Sequence, residues 1–185
     1  GKVVVIYRDV NNSGYGKSII GTVSGTSISF GTAQTYQTSS GQQAQALTFD
    51  SANNKVVMYY ADQTASGIVS ARVGTVSGTS LSFGTKVALP GNPTAAGGNV
   101  ISCIFDANAG KSVVFFINSA NSNYGTACVG TVSGTSISFG SLSVFESANT
   151  NYPHSTFDST NNKSIVVYRD LGNSSYGTNP CGLLL

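Results

Sequence analysis

Apolar residues fall along this chain in short blocks that return at a regular interval. KVVVIYRD (Lys2–Asp9) is apolar almost throughout and rich in β-branched side chains, as expected of a strand covered on both faces. KVVMYYAD (Lys55–Asp62), KSVVFFIN (Lys111–Asn118) and KSIVVYRD (Lys163–Asp170) repeat it. A second block, GTVSGTSISFG, occupies residues 21–31, returns unchanged at 130–140, and returns at 74–84 with Leu81 in place of Ile28 and Ile137. Its TSISFG half alternates polar and apolar positions, the period of a half-exposed strand. The Ser-Gly pair before it suits a two-residue hairpin with positive φ. A third anchor is Phe-Asp, at Phe49-Asp50, Phe105-Asp106 and Phe157-Asp158.

These anchors define a tandem repeat. Gly21, Gly74 and Gly130 open the three phrases, 53 and 56 residues apart. From Phe49 to Gly74 and from Phe105 to Gly130 is 25 residues, and the same step from Phe157 reaches Gly182 in the tail CGLLL. Each repeat reads as four antiparallel strands in a meander, with three tight turns and one long variable connection. Units of this length and strand count are the signature of β-propeller blades. The expected fold is therefore all-β: a β-propeller of four-stranded antiparallel blades, two complete and two partial. The single repeat domain 1–185 divides into a partial blade at 1–45, blades at 46–99 and 100–154, and a partial blade at 155–185. By this count the chain opens at the second strand of one blade and stops after the third strand of another. It is expected to be a fragment of a longer propeller, or to pair its open strand edges with other chains. No leader-like segment opens it, and it begins inside a repeat.

Composition places this fold in a setting. Charged residues make up 9% of the 185, against about 25% in an average globular chain. Nine Tyr and nine Phe still allow a core, so the chain does not read as disordered. Solubility must come from neutral hydroxyls and amides, which fits an extracellular or virion surface better than a crowded cytosol. The net charge of +2 is not gathered into a basic patch, which argues against nucleic acid as a partner. The longest apolar runs, such as residues 113–117, are too short for a membrane-spanning helix. Three cysteines, Cys103, Cys128 and Cys181, stand at non-repeating positions and read as small buried hydrophobes rather than a disulfide framework. A Cys128–Cys181 bridge has nothing in the sequence to support it.

The string FDSxNNKVVVxYRDxxNSxYGxAxVGTVSGTSISFG resembles the tandem repeats of proteins of marine bacteriophages and aquatic bacteria, over essentially the whole chain. That resemblance implies β-propeller-type modules of virion appendages or secreted surface proteins, a setting more than a reaction. The second repeat departs from it, with ADQTASGIVSA in place of RDxxNSxYGxA, so its turn is open to a different shape or role. A fainter likeness links RDVNNSGYG to the Asp-box hairpin of sialidase-type propellers, without the Trp or the usual spacing.

The chemistry-bearing residues are few. Of seven carboxylates, Asp50, Asp106 and Asp158 share one repeat position, and Asp9, Asp62 and Asp170 share another where the third copy has Asn118. Groups that recur in every blade read as turn caps, because an Asp side chain accepts from the next backbone amides. Only Glu146 is unique, and a catalytic carboxyl pair needs one specific site. The lone His154 has no second His for a triad or metal site, and the aspartates are too dispersed for calcium. The reading is a non-enzymatic protein with no cofactor and no metal. Binding then falls to the dissimilar polar connections between blades, with Tyr36, Gln37, Asn92, Asn151, Tyr152 and His154 as candidates for stacking on and bonding sugars. The recurring Tyr15, Tyr124 and Tyr176 read as packing residues of the YG turns. The expected function is attachment to a host-surface glycan or protein receptor, from a virion or extracellular surface. The expected partners include other virion or surface subunits, as a homo-oligomer or part of a longer chain. The alternatives are a structural self-assembling protein and, remotely, a glycosidase-type propeller acting through Glu146.

Overall fold

The computed structural model describes residues 1–38, 44–95, 97–98, 100–174 and 177–178. Among them the chain is all-β, apart from one 3-10 turn at Gln63–Ala65. The apolar blocks form the strands they predict. In the first repeat these are β1 (Lys2–Asp9), β2 (Tyr15–Ser24), β3 (Ser27–Phe30) and β4 (Gln34–Gln37). The second holds β5 (Gln45–Asp50), β6 (Lys55–Asp62), β7 (Ile68–Ser77), β8 (Ser80–Phe83) and β9 (Val87–Ala88). Next come β10 (Ile101–Asp106), β11 (Lys111–Asn118), β12 (Tyr124–Ser133), β13 (Ser136–Phe139) and β14 (Ser143–Asp158). β15 (Lys163–Asp170) and β16 (Gly177–Thr178) end the described chain.

All pairings are antiparallel, and three sheets result. The register repeats with the sequence: Val3 faces Gly21, Val56 faces Gly74, and Ser112 faces Gly130. The fourth strand of each repeat is in two pieces laid along one partner. β3 and β4 both pair with β2, β8 and β9 with β7, and β13 and the start of β14 with β12. At each break a glycine amide returns to the third strand: Gly31 to Ile20, Gly84 to Val73 and Gly140 to Val129.

One long connection is a strand rather than a loop. In the third repeat the connection is a strand of 16 residues, β14, which pairs with β12 and then, past an irregularity at 151–154, with β15. It runs through the boundary after residue 154 and joins two repeats into one seven-stranded sheet. The strand forms because each half finds an open edge, first of its own repeat and then of the next.

The repeats stack face to face. Val57 and Tyr59 of β6 pack in one core with Val114 and Phe116 of β11. Met58 and Tyr60, on the other face of β6, pack with Ile6 and Tyr36 of the first repeat. Alternate positions of the second strand thus look backward and forward along the series. Bonds cross the seams between residues 53 apart: Tyr59 Oη to Ser112 Oγ at 2.7 Å, and Ser102 Oγ to Ser155 Oγ at 2.7 Å. The first strands lie side by side, β5 against β10 and β10 against β14.

Candidate binding surface

One end of the sheets carries both the turns between second and third strands and the connections between repeats. The turns share one form. The amides of Gly14, Gly67 and Asn123 reach the carbonyls of Asp9, Asp62 and Asn118, five residues earlier. Two left-handed residues close each turn, Ser13-Gly14, Ser66-Gly67 and Ser122-Asn123. The divergent second copy therefore keeps the turn, because DQTASG has the same length and places Ser-Gly at the two positions of positive φ. The connections are tied to these turns. Pro93 and Gly67 bond with Val69 and Ala95, Ser119 takes the Thr94 carbonyl, and the Thr150 amide donates to Asn123. The surface that results is made of Asn, Ser and Thr on a braced base.

The aspartates lie where turn caps should. Asp50 accepts from the Asn53 amide at 2.9 Å, and Asp106 from Asn108 and Ala109. Asp158 accepts from Thr160 and Asn161, and Asp170 from Gly172 and Asn173. The Asn161 side-chain amide, with the backbone amides of Asn161 and Thr160, holds the Asp158 carboxyl below its usual range. Asp9 differs: its turn is closed through its backbone carbonyl, from the amides of Asn12 and Gly14.

Asp62 does more than cap. It is fully buried, accepts from Thr64 and from Gln37 Nε2 at 2.6 Å, and forms an ion pair with Lys86. Burial pushes its carboxyl up, but the Lys86 and Thr64 contacts prevail and hold it below the ordinary range. Lys86 has no counterpart in the other repeats, where Ala33 and Leu142 stand. Sequence reading did not single it out, since its partner lies 24 residues away and across a strand break.

Tyr36 and Gln37 are corrected from loop binders to interior residues. The Tyr36 ring is 6% exposed, fills the space where a Cβ on Gly16 would stand, and packs edge-on against Tyr60 and Phe83. Burial raises its hydroxyl pKa. Gln37 is spent on Asp62. Both lie in β4, where Gly16 of the partner strand leaves room for the ring to turn inward. Phe145 does the same over Gly125 and meets Tyr168 of the next repeat. In the second repeat the paired positions hold Val69 and Leu89, a larger residue opposite a smaller one.

Asn92 is exposed in a turn, with φ 51°. Asn151, Tyr152 and His154 are in β14 rather than a loop. Asn151 pairs with Arg169 and is half-buried. His154 faces Val167 across the strands, in a shallow pocket shared with Ser155, Thr156 and Ile165. Tyr152 stands at the bulge between them, 49% exposed, with φ 55°. A bulky side chain is rarely found in that left-handed region. Of the two candidate tyrosines only Tyr152 is held out to solvent, and the His154 ring two residues on is exposed as well.

Glu146 accepts from Tyr168 Oη at 2.8 Å. Among the described residues no three His, Cys, Asp or Glu side chains are grouped to hold a metal ion. No helix among them is long and apolar enough to cross a membrane. Cys128 is a buried free thiol whose pKa burial pushes up to about 11, and Cys103 is a free, half-buried thiol shifted the same way. Cys181, Tyr176 and the Gly182 repeat position lie outside the described residues. The sequence matches no protein-family model and no curated protein.

Proposed function

We propose that this protein is a non-enzymatic β-propeller module of a virion appendage or cell-surface protein, and that it attaches to a host-surface glycan through the turn-bearing end of its sheets. The propeller reading is supported by the face-to-face stacking of repeats and by first strands that lie side by side. The observation that carries the attachment reading is Tyr152: an exposed aromatic in a left-handed bulge, amid turns of Asn, Ser and Thr. Backbone strain of this kind costs on the order of 1–3 kcal/mol and persists where a site requires it. An exposed ring beside neutral amides and hydroxyls suits a sugar, whose faces are apolar and whose rim donates and accepts hydrogen bonds.

Tyr152→Gly separates function from stability. Glycine takes positive φ freely, so the variant is expected to be as stable as the parent or about 1 kcal/mol more stable. Its binding to a glycan array and to host cells is expected to fall at least tenfold. Undiminished binding by a folded Tyr152→Gly variant would remove the basis for this reading.

A further inference from the structure

We propose that the seam between the first and second repeats binds a small monoatomic anion, of the kind of chloride, through the Arg72 guanidinium and the hydroxyls of Tyr60 and Ser18. The site lies inside the stack of sheets and is independent of receptor binding.

Among the described residues, three buried side-chain atoms have no hydrogen-bond partner: Ser18 Oγ, Tyr60 Oη and Arg72 Nε. All three belong to one seam. Ser18 faces Ile6 across β1 and β2, on the forward face of the first repeat. Tyr60 and Arg72 stand on the backward face of the second, where Arg72 faces Met58. The next seam shows that these positions converge. Their counterparts there are Ala71, Phe116 and Cys128, which pack in one core and are 0%, 0% and 1% exposed. Where one seam has three apolar residues, its neighbour has three hydrogen-bonding ones at the same spot. A buried donor left unpaired is costly, so three together point to one partner shared by all.

The donors define the chemistry of that partner. A guanidinium only donates, and a hydroxyl donates when the other group accepts. Burial raises the Tyr60 hydroxyl pKa, and Arg72 close beside it offsets part of the rise, so at neutral pH the hydroxyl keeps its proton. Charge decides between an anion and a water molecule. Arg72 has no ion pair among the described residues. Asp62, on the same face, is held by Lys86, Thr64 and Gln37. A cation drawn into a seam requires a counter-charge, which water does not supply. Size narrows the class further. Ile6 stands where Tyr59 does in the next seam, which gives space to the longer Arg72 chain. Ser18 and Tyr60 each carry one oxygen more than Ala71 and Phe116. The seam has gained atoms, so an anion of one atom fits it better than a phosphate or a carboxylate. Arg72 is half-buried, which gives the ion a path from solvent.

The test is thermal unfolding of the 185-residue chain in sodium chloride and in sodium gluconate at equal concentration. Gluconate is too large for the seam. With chloride at about ten times its dissociation constant, the parent is expected to melt about 3–6 °C higher than in gluconate. The triple variant Ser18→Ala, Tyr60→Phe, Arg72→Cys carries the residues of the next seam and is expected to lose that difference. Tyr60→Phe alone keeps the guanidinium and is expected to retain part of it. Chloride NMR gives a second readout on the parent: an excess linewidth that bromide displaces. A parent with the same Tm in both salts would overturn the proposal and assign the donors to water. A chloride gain that the triple variant keeps would also overturn it, as a general salt effect. If the triple variant does not fold, the NMR decides: absence of a bromide-displaceable linewidth in the parent overturns the site.

Discussion

Asp62 holds the only ion pair among the described residues, and its effect follows from burial. Removing one partner of a buried pair typically costs about 3–5 kcal/mol. Here the Lys86 side chain is 37% exposed, and Thr64 and Gln37 still donate, so Lys86→Met is expected to cost about 2 kcal/mol at neutral pH. The sign of the pH dependence is fixed by the lowered carboxyl. The native state holds this proton less readily than the unfolded chain, whose reference pKa is 3.8. The contribution is therefore complete above that value and drains away as pH falls through the native pKa. Without Lys86 the carboxyl rises toward its ordinary range, and less is left to lose in acid. Urea unfolding should show the gap between parent and Lys86→Met narrow as pH drops below about 4. The comparison must be a difference, because the Asp158 carboxyl is also lowered. A gap that stays constant across that range would mean Lys86 acts by packing alone.

At the scale of elements, the repeated phrase interlocks neighbouring repeats. A Cβ on Gly84 would lie 1.9 Å from the Thr135 carbonyl oxygen of the next hairpin, and one on Gly31 would lie 2.7 Å from Thr79. The closing glycine of one phrase thus receives the opening turn of the following one. Gly140 holds the same position, but there the nearest atom to such a Cβ is 4.0 Å away. Gly84→Ala is expected to cost about 2 kcal/mol through overpacking against backbone, lowering Tm by roughly 4–8 °C. Gly140→Ala should leave Tm within about 1 °C of the parent, since exposed changes without a clash are usually small. Equal Tm for the two variants would show that the glycine serves its own strand rather than the seam. The strands and their register were legible because apolar blocks and turn residues recur together. The connections were not. β14 lacks regular alternation, since its halves lie on the edges of different repeats and carry Pro153 and a left-handed Tyr152 between them. Tyr36 looked like a free ring because the glycine it covers stands 20 residues upstream. The aligned pairs Gly16–Tyr36, Val69–Leu89 and Gly125–Phe145 were the signal that would have placed it. Asp62 read as one more cap, since the buried lysine contact depends on the break between β8 and β9.

For the whole molecule, stacking makes stability a matter of neighbours. In a series of repeats each unit contributes its own term and a seam on either side. β6 and β11 are sealed on both faces, whereas β1 is bare behind and β15 is bare in front. A strand covered on one face opens at lower free energy than one covered on both. In dilute solution, hydrogen exchange should therefore be slowest in β6 and β11 and faster in the paired amides of β1 and β15. If β1 exchanges as slowly as β11 in the dilute monomer, the sheets open as one cooperative unit and seams do not set local stability.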